Sequence, residues 1–259
     1  MLALLRRPAT AAATVASAAA IAAAALVPTL AARPAAAQNP DALGRTDRRA
    51  TVAVLYFTNG ALMSGTDYAP LSKGMAEMLI TTLAQNPGVR VVERDRLQQL
   101  IAEQNLGSGD RVDKETAIRL GRVLGAHHLL MGTFVIDPKQ NMRIDVRSVN
   151  TETSQIEYVE TVSGKADRML AMVDELGTKV NTGLKLPDLP VRLQQTSATP
   201  EVKQGGANQF RAVMLVSRAL ERQDRGDKAG AIALYKEALQ AYPNFERAKT
   251  LLAAATIHG

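Results

Sequence analysis

The sequence contains no cysteine and no tryptophan, and aromatic residues make up only 3% of its 259 positions. Without cysteine, the chain has no disulfide, no thiolate zinc site, no cysteine nucleophile and no cysteine for lipid attachment of the bacterial lipoprotein type. The scarcity of aromatic rings argues against surfaces that stack nucleic-acid bases or sugars. The sequence therefore favours functions that require neither a thiol nor an aromatic stacking surface.

The positive charge of the chain is concentrated in part at its beginning. The formal net charge is +6, and Arg6, Arg7 and Arg33 lie in a leader-like segment without acidic residues. Without these three arginines the net charge falls from +6 to +3. Proteins that bind nucleic acid usually carry a dense basic face, so this mild excess predicts no nucleic-acid partner.

Residues 1–37 have the three parts of a secretory signal peptide. A pair of arginines precedes an uncharged, alanine-rich stretch, and alanines occupy the last three positions. We therefore predict cleavage between Ala37 and Gln38 and export to the periplasm of a Gram-negative cell, with association with the outer membrane as a further option. The alternative is a retained anchor, because residues 11–32 carry no charge and are long enough to span a bilayer.

An α/β pattern follows the leader. Residues 38–50 are polar, and we expect them to be flexible. The β-branched apolar run 51–57 predicts a strand that is buried on both faces. Met75, Leu79 and Leu83 then recur every four residues, which predicts an amphipathic helix.

Capping residues indicate where the helices of this region begin and end. Ser72, Asp95 and Asp113 each stand at the predicted start of a helix, where a side-chain oxygen can accept a backbone hydrogen bond. Gly125 follows the third helix, in the position that often requires a left-handed backbone. The sequence thus predicts three helices between the strand at 51–57 and a strand at 127–136, with a short strand at 89–92 after the first helix.

The next part of the chain alternates between apolar and polar residues, as half-buried strands do. Met142, Ile144 and Val146 are predicted to face the core. The opposite face carries a charged stripe made of Arg143, Asp145 and Arg147. We interpret this stripe as a solvated sheet face, with a subunit contact as the alternative.

A returning strand completes a hairpin, with Ile156, Tyr158 and Val162 predicted on one face. Early βα units followed by a late hairpin are typical of an α/β layer domain with a mixed sheet. The sequence predicts this domain over residues 51–185.

The stretch 89–104 is the strongest family signal in this domain. It consists of a short strand, a charged corner at Glu93-Arg94 and an amphipathic helix. The motifs, in chain order, are Val91-Val92-Glu93-Arg94, Leu97, Leu100, Glu103-Gln104, Leu120-Gly121, Leu124-Gly125-Ala126 and Met131-Gly132. Together they resemble the periplasmic domain of the curli-secretion-channel (CsgG-like) family.

This resemblance implies a non-enzymatic protein of the cell envelope. Such a protein would help to assemble a complex for secretion, curli-like fibres or wall synthesis, through contacts with envelope proteins and with the option of self-association into rings. It implies no cofactor.

Channel members of the family also carry membrane hairpins and a lipidated cysteine. This sequence has no cysteine and no long alternating strand with aromatic girdles, so no integral membrane insertion is expected, and an outer-membrane channel subunit is the alternative.

A proline- and glycine-containing linker is predicted at 186–208, and residues 209–259 are predicted to be helical. This segment resembles one tetratricopeptide-like helical hairpin, because suitable residues occur at the spacing of that repeat: Gly226, Ala231, Tyr235, Ala238 and Pro243. A single repeat does not form an independent solenoid. It must therefore dock on the first domain, on another subunit or on a partner.

A groove of this repeat could hold a partner. The residues predicted to line it are Val213, Val216, Leu220 and Gln223.

The spacing of the candidate residues does not favour a catalytic site or a metal site. Glu93-Arg94 could form an acid–base pair, but a charged pair at such a corner usually orients the turn. His127 and His128 are adjacent in a predicted strand, so they point to opposite faces and do not share one metal easily. We predict no catalytic, metal or cofactor residue, and a periplasmic enzyme with an unrecognised site is the alternative.

Overall fold

The computed structural model describes residues 49–60, 67–103, 113–188 and 206–257. The predicted signal peptide with its cleavage site at Ala37 and Gln38 lies outside the described residues, as do 38–48 of the predicted flexible segment and 189–205 of the predicted linker.

The described residues form six strands and seven α-helices. The strands are β1 (Ala50–Val54), β2 (Thr58–Asn59), β3 (Val89–Val91), β4 (His128–Ile136), β5 (Asn141–Asn150) and β6 (Ile156–Lys165). The helices are α1 (Leu71–Ala84), α2 (Arg94–Glu103), α3 (Lys114–Val123), α4 (Met169–Gly183), α5 (Ala207–Asp224), α6 (Lys228–Ala241) and α7 (Glu246–Ile257). One turn of 3-10 helix, Ala166–Arg168, leads into α4.

The strands form one mixed sheet in the order β3-β1-β4-β5-β6, and β2 pairs with β4 beyond the end of β1. β1 runs parallel to both β3 and β4. β2 is also parallel to β4, whereas β5 is antiparallel to both β4 and β6. The predicted fold class, an α/β domain with a mixed sheet followed by an all-α part, is confirmed.

The two faces of the sheet are covered differently. On one face, α1 and α4 pack in a single apolar cluster that runs from Val54 in β1 to Val162 in β6. On the other face, α2 and α3 cover the parallel strands, where Ala53 and Leu129 lie in a second cluster. The side of β5 and β6 that faces away from α4 bears exposed side chains.

Helix α1 follows its predicted pattern, but its start differs from the prediction. Met75, Leu79 and Leu83 are buried, which confirms the predicted apolar stripe. The helix begins at Leu71 with Pro70 in the N-cap position, two residues earlier than a Ser72 cap requires, so the prediction of Ser72 as N-cap is wrong. Its hydroxyl is buried and has no hydrogen-bond partner among the described residues.

Asp95 and Asp113 behave differently at their helix starts. Asp113 accepts a hydrogen bond from the Thr116 amide, which confirms its predicted role as a cap. Helix α2 already starts at Arg94, so Asp95 lies inside its first turn and accepts a hydrogen bond from the Arg94 side chain. The prediction of Asp95 as N-cap is therefore wrong.

An irregularity in the β5–β6 pairing changes the direction of one side chain. Ser148 pairs with Tyr158, whereas Val149 pairs with Ile156, so the register shifts between them. A slip of one residue turns a side chain to the opposite face of a sheet. Ile156 therefore does not share a face with Tyr158 and Val162 as predicted, and it is 48% exposed.

The C-terminal helices pack onto the α/β domain. Helices α5 and α6 pack against each other, α7 packs on α6, and α5 lies on α1. The backbone turns between α5 and α6 at Gly226, whose φ of 79° favours glycine, and Asp227 caps α6 by accepting from the Gly230 amide. Of the three docking alternatives, the structure shows contact with the first domain. The likeness to a tetratricopeptide repeat stays a prediction.

Candidate interaction surface and its supporting ionic cluster

The charged corner after β3 contains an arginine, Arg94, whose side chain is buried. The Arg94 side chain is 4% exposed. Its Nη1 donates to Asp224 Oδ1 at 2.7 Å, and its Nη2 donates to Asp95 Oδ1 at 2.6 Å. Its Nε lies 3.4 Å from Glu77 Oε2. The guanidinium thus bridges α1, α2 and α5.

Two further basic side chains complete this group. Lys73 Nζ donates to Asp224 Oδ2 at 2.5 Å. Arg247 Nε, from α7, donates to Glu77 Oε1 at 2.7 Å. We call these three cations and three carboxylates the ionic cluster; its members are Lys73, Glu77, Arg94, Asp95, Asp224 and Arg247.

The ionic cluster tolerates burial because its charges compensate one another. Burial opposes the ionisation of Arg94, but the surrounding groups, Asp224 first and then Tyr56 and Asp95, together outweigh this effect and raise the pKa of Arg94. A buried pair adds little net stability compared with apolar residues, yet removal of one partner strands the other charge. The cluster therefore fixes how α5 and α7 sit on α1 and α2.

A close backbone approach accompanies the ionic cluster. A Cβ atom on Gly74 of α1 would overlap the Ser217 hydroxyl of α5 and lie 2.9 Å from the Ser217 Cβ. Glycine at this position lets the two helices approach closely. The sequence contained no signal for this contact beyond a glycine inside an otherwise regular helix.

The structure places three of the four predicted partner-binding residues in the interior, and Gln223 is partly buried. Val213, Val216 and Leu220 are 0% exposed and belong to the same apolar cluster as the α1 stripe. Gln223 accepts a hydrogen bond from the Tyr235 hydroxyl at 3.1 Å. The expectation that these valines and the leucine line an open groove is corrected, because α1 of the same chain covers this side of α5.

The antiparallel half of the sheet offers a different surface. Register pairs Val135 with Arg143, and Arg147 with Val159, across neighbouring strands. We call this side of β4–β6 the open sheet face; its residues are Met131, Thr133, Val135, Arg143, Asp145, Arg147, Ile156, Val159, Thr161, Ser163 and Lys165. It contains the charged stripe that the sequence predicted, together with exposed valines.

The open sheet face combines apolar and ionised groups. Val159 is 61% exposed, and Val135 and Ile156 are exposed nearby on the same face. Arg143 donates to Asp145 Oδ1 at 2.7 Å, and Thr161 donates to the same oxygen at 2.7 Å. Burial would raise the pKa of Asp145, but these hydrogen bonds and the charges of Arg143 and Arg147 together outweigh burial and lower the pKa. Apolar side chains mixed with arginine are common at protein–protein contacts.

The two histidines considered as metal ligands make contacts within the sheet. His127 Nδ1 accepts from the Thr51 amide at 3.2 Å, and the His128 ring lies 2.6 Å from a Glu157 carboxylate oxygen. Among the described residues there is no group of three or more His, Cys, Asp or Glu side chains that could hold a metal ion. In the same part of the chain, no helix has the length and apolar character needed to cross a membrane.

The Met131-Gly132 motif has a physical reason in the structure. A Cβ atom on Gly132 would overlap the ring of Phe57, which packs directly on β4. Phe57 is 2% exposed and lies in the larger apolar cluster. The motif therefore preserves space for a core ring.

Comparisons with known proteins address the domain that carries these motifs. Residues 35–136 match the family model of the curli production assembly/transport component CsgG. The search of curated proteins found no match.

Several solved structures are similar to part of the chain. The LpoB C-terminal domain from Salmonella enterica is 16% identical, with a TM-score of 0.33 over 45% of this chain and 82% of that one. A lipoprotein from Neisseria meningitidis is 16% identical, with a TM-score of 0.37 over 45% and 80%. The PelC dodecamer from Paraburkholderia phytofirmans is 14% identical, with a TM-score of 0.34 over 54% and 91%.

The resemblance drawn from the motifs is confirmed at the level of the family: over residues 35–136, this chain is similar to the curli production assembly/transport component CsgG.

Proposed function

We propose that this protein is a non-enzymatic periplasmic protein that assists envelope assembly or secretion through contacts with envelope proteins. The observation that carries this proposal is the match of residues 35–136 to a family named for curli assembly and transport. The leader-like segment 1–37 supports a location in the periplasm.

The open sheet face is the surface that we assign to these contacts. The opposite face of the sheet is occupied by α1 and α4, and α1 is in turn covered by α5. The outward side of β5 and β6 retains exposed apolar groups such as Val159. Such groups contribute binding energy when a partner removes them from water.

Site-specific photo-crosslinking in living cells tests this assignment. A photoreactive amino acid replaces Val159 on the open sheet face or, as a control, Ile257 at the end of α7, which is also highly exposed. We expect a defined adduct with an envelope protein from position 159 and none from position 257. The absence of any adduct from position 159, and from position 135 of the same face, would overturn the assignment.

Cell fractionation tests the location and distinguishes the alternatives. A periplasmic accessory protein is released by osmotic shock, or by salt if it adheres to the outer membrane. Retention in the membrane fraction until detergent is added would favour the channel subunit or a retained leader, and would contradict the proposal.

A further inference from the structure

We propose that one end of the open sheet face binds an acidic segment of the partner protein, a proposal that rests on the proposed function. This end is concave. We call it the basic hollow; the residues that carry the argument are Val135, Asn141, Arg143, Ser163, Lys165 and Arg168. They come from the ends of three neighbouring strands and from the 3-10 turn before α4.

The register of the strands brings these residues together. Asn141 pairs with Lys165, and Arg143 pairs with Ser163, across β5 and β6. Residues that are directly opposite in a sheet have Cβ atoms about 5 Å apart. Lys165 and Arg143 are therefore diagonal neighbours on one face, and Arg168 follows three residues after Lys165.

The charges that line the basic hollow do not cancel. Its lining contains three basic residues and one acidic residue, Asp137. The Asp137 carboxylate accepts hydrogen bonds from the Asn141 side chain at 2.7 Å and from the Asn141 and Lys139 amides at 2.8 Å. These hydrogen bonds, with a smaller contribution from the charge of Lys165, lower the pKa of Asp137. The hydrogen bonds hold the carboxylate in its own turn.

Two of the three cations, Lys165 and Arg168, remain able to bind a carboxylate. Arg143 is engaged by Asp145. Within the described ranges, Lys165 Nζ makes one hydrogen bond, to the backbone oxygen of Lys139 at 3.0 Å. The Arg168 guanidinium makes no hydrogen bond or ion pair with another described residue. Ammonium and guanidinium groups in this state favour a carboxylate ligand, which guanidinium can bind through two hydrogen bonds.

The composition of the basic hollow favours a peptide over other anionic ligands. It contains no aromatic ring among its lining residues, whereas single-stranded nucleic acid is usually held by stacking on such rings. Anionic membranes are usually recognised by clusters of about four to eight basic residues. The apolar Val135 at the edge of the basic hollow, with Val159 further along the face, suits a segment that carries both carboxylates and apolar side chains.

Binding of a defined probe tests this inference. The probe is a fluorescein-labelled octaglutamate peptide, and octaglutamine is the uncharged comparison, both measured by fluorescence anisotropy with the mature protein. We expect octaglutamate to bind more tightly, and added salt to weaken it. The double variant Lys165→Gln, Arg168→Gln should lower its affinity about tenfold, because two charge-assisted contacts are lost.

A matched control separates a local site from general attraction. The double variant Arg96→Gln, Lys236→Gln removes the same charge from two exposed positions on α2 and α6, and it should leave the affinity unchanged. An equal loss in both double variants would overturn the inference. So would binding to phosphatidylglycerol vesicles or single-stranded DNA without binding to octaglutamate.

The crosslinking experiment tells the two failures apart. If the adduct at position 159 forms in full with Lys165→Gln, Arg168→Gln and the mature protein does not bind octaglutamate, the acidic-segment inference fails and the proposed function stands. If no adduct forms from the open sheet face in any variant, the proposed function itself fails.

Discussion

Arg94 and Asp224 are 130 positions apart in the sequence, and the Arg94 guanidinium donates a 2.7 Å hydrogen bond to the Asp224 carboxylate. Arg94 belongs to the segment that matches the CsgG family model, which ends at residue 136. Asp224 lies far beyond this segment, at the end of α5. The charged corner of the family-like domain is thus neutralised by a helix outside the family match.

Replacement of Arg94 by methionine should destabilise the protein by about 3–5 kcal/mol, because Glu77 and Asp224 would remain buried without their shared cation. Urea denaturation monitored by circular dichroism measures this loss. Arg96→Met, two positions further along the same helix and exposed, is the matched control and should change the stability by less than about 0.5 kcal/mol. Equal stability of the two variants would contradict the structural role of the ionic cluster.

Replacement of Gly74 by alanine should also destabilise the protein, although alanine normally favours a helix interior. The new methyl group would overlap Ser217 on α5, and overpacking of this kind costs about 1–3 kcal/mol. The second change Ser217→Gly should restore part of the lost stability because it removes the obstructing atoms. Thermal unfolding of the single and double variants checks this; additive losses would show that the two positions are not in contact.

The stability of the protein should contain a pH-dependent contribution from Asp174 on α4. Burial raises the pKa of this carboxyl to about 6, against a hydrogen bond from Thr82 that lowers it. Because the folded pKa is above the unfolded one, the folded state binds the proton more tightly. This contribution is therefore present below the unfolded pKa and lost as the pH rises through about 6.

Asp174→Asn tests this sign, since the amide keeps an oxygen acceptor for Thr82 and does not ionise. At pH 7 the variant should be more stable than the original protein by about 1–2 kcal/mol, and the difference should shrink as the pH falls from 6 towards 4. Glu175→Gln, a neighbouring exposed position, controls for the change in net charge. A stability difference that does not vary with pH would refute this assignment.

Substitution of Val159 by glutamate should separate binding from folding. Val159 is exposed on the open sheet face, so the free energy of unfolding should change by less than about 0.5 kcal/mol. Crosslinking from position 135 should nevertheless decrease, because a charge would enter the contact and repel an acidic partner. Ile257→Glu is the matched control; if it reduced crosslinking equally, the open sheet face would not be the contact surface.

Local signals in the sequence predicted much of the fold. The alternation of Met142, Ile144 and Val146 gave the buried side of β5, and all three are buried. Gly125 adopts the predicted left-handed backbone, with φ of 65°. These features depend on residues that are close in sequence, so a pattern within one segment is enough to predict them.

Features that depend on distant partners were missed or misread. Ile156 points to the other face because the β5–β6 register shifts, which its own segment does not reveal. An apolar stripe such as Val213, Val216 and Leu220 looks the same in sequence whether it packs on its own chain or binds a partner. Likewise, the sequence does not show that Arg94 pairs with Asp224.

The packing of α5 on α1 shows that the end of the segment similar to the family is not the end of the packed structure. The segment recognisable by similarity ends at residue 136, and the predicted α/β domain at 185. A chain that is cut after Leu186 would expose the side of α1 that now packs on α5, and it would leave Lys73 and Glu77 without two of their charged partners. The segment recognised by similarity is therefore shorter than the unit that a truncated chain must contain to keep these contacts.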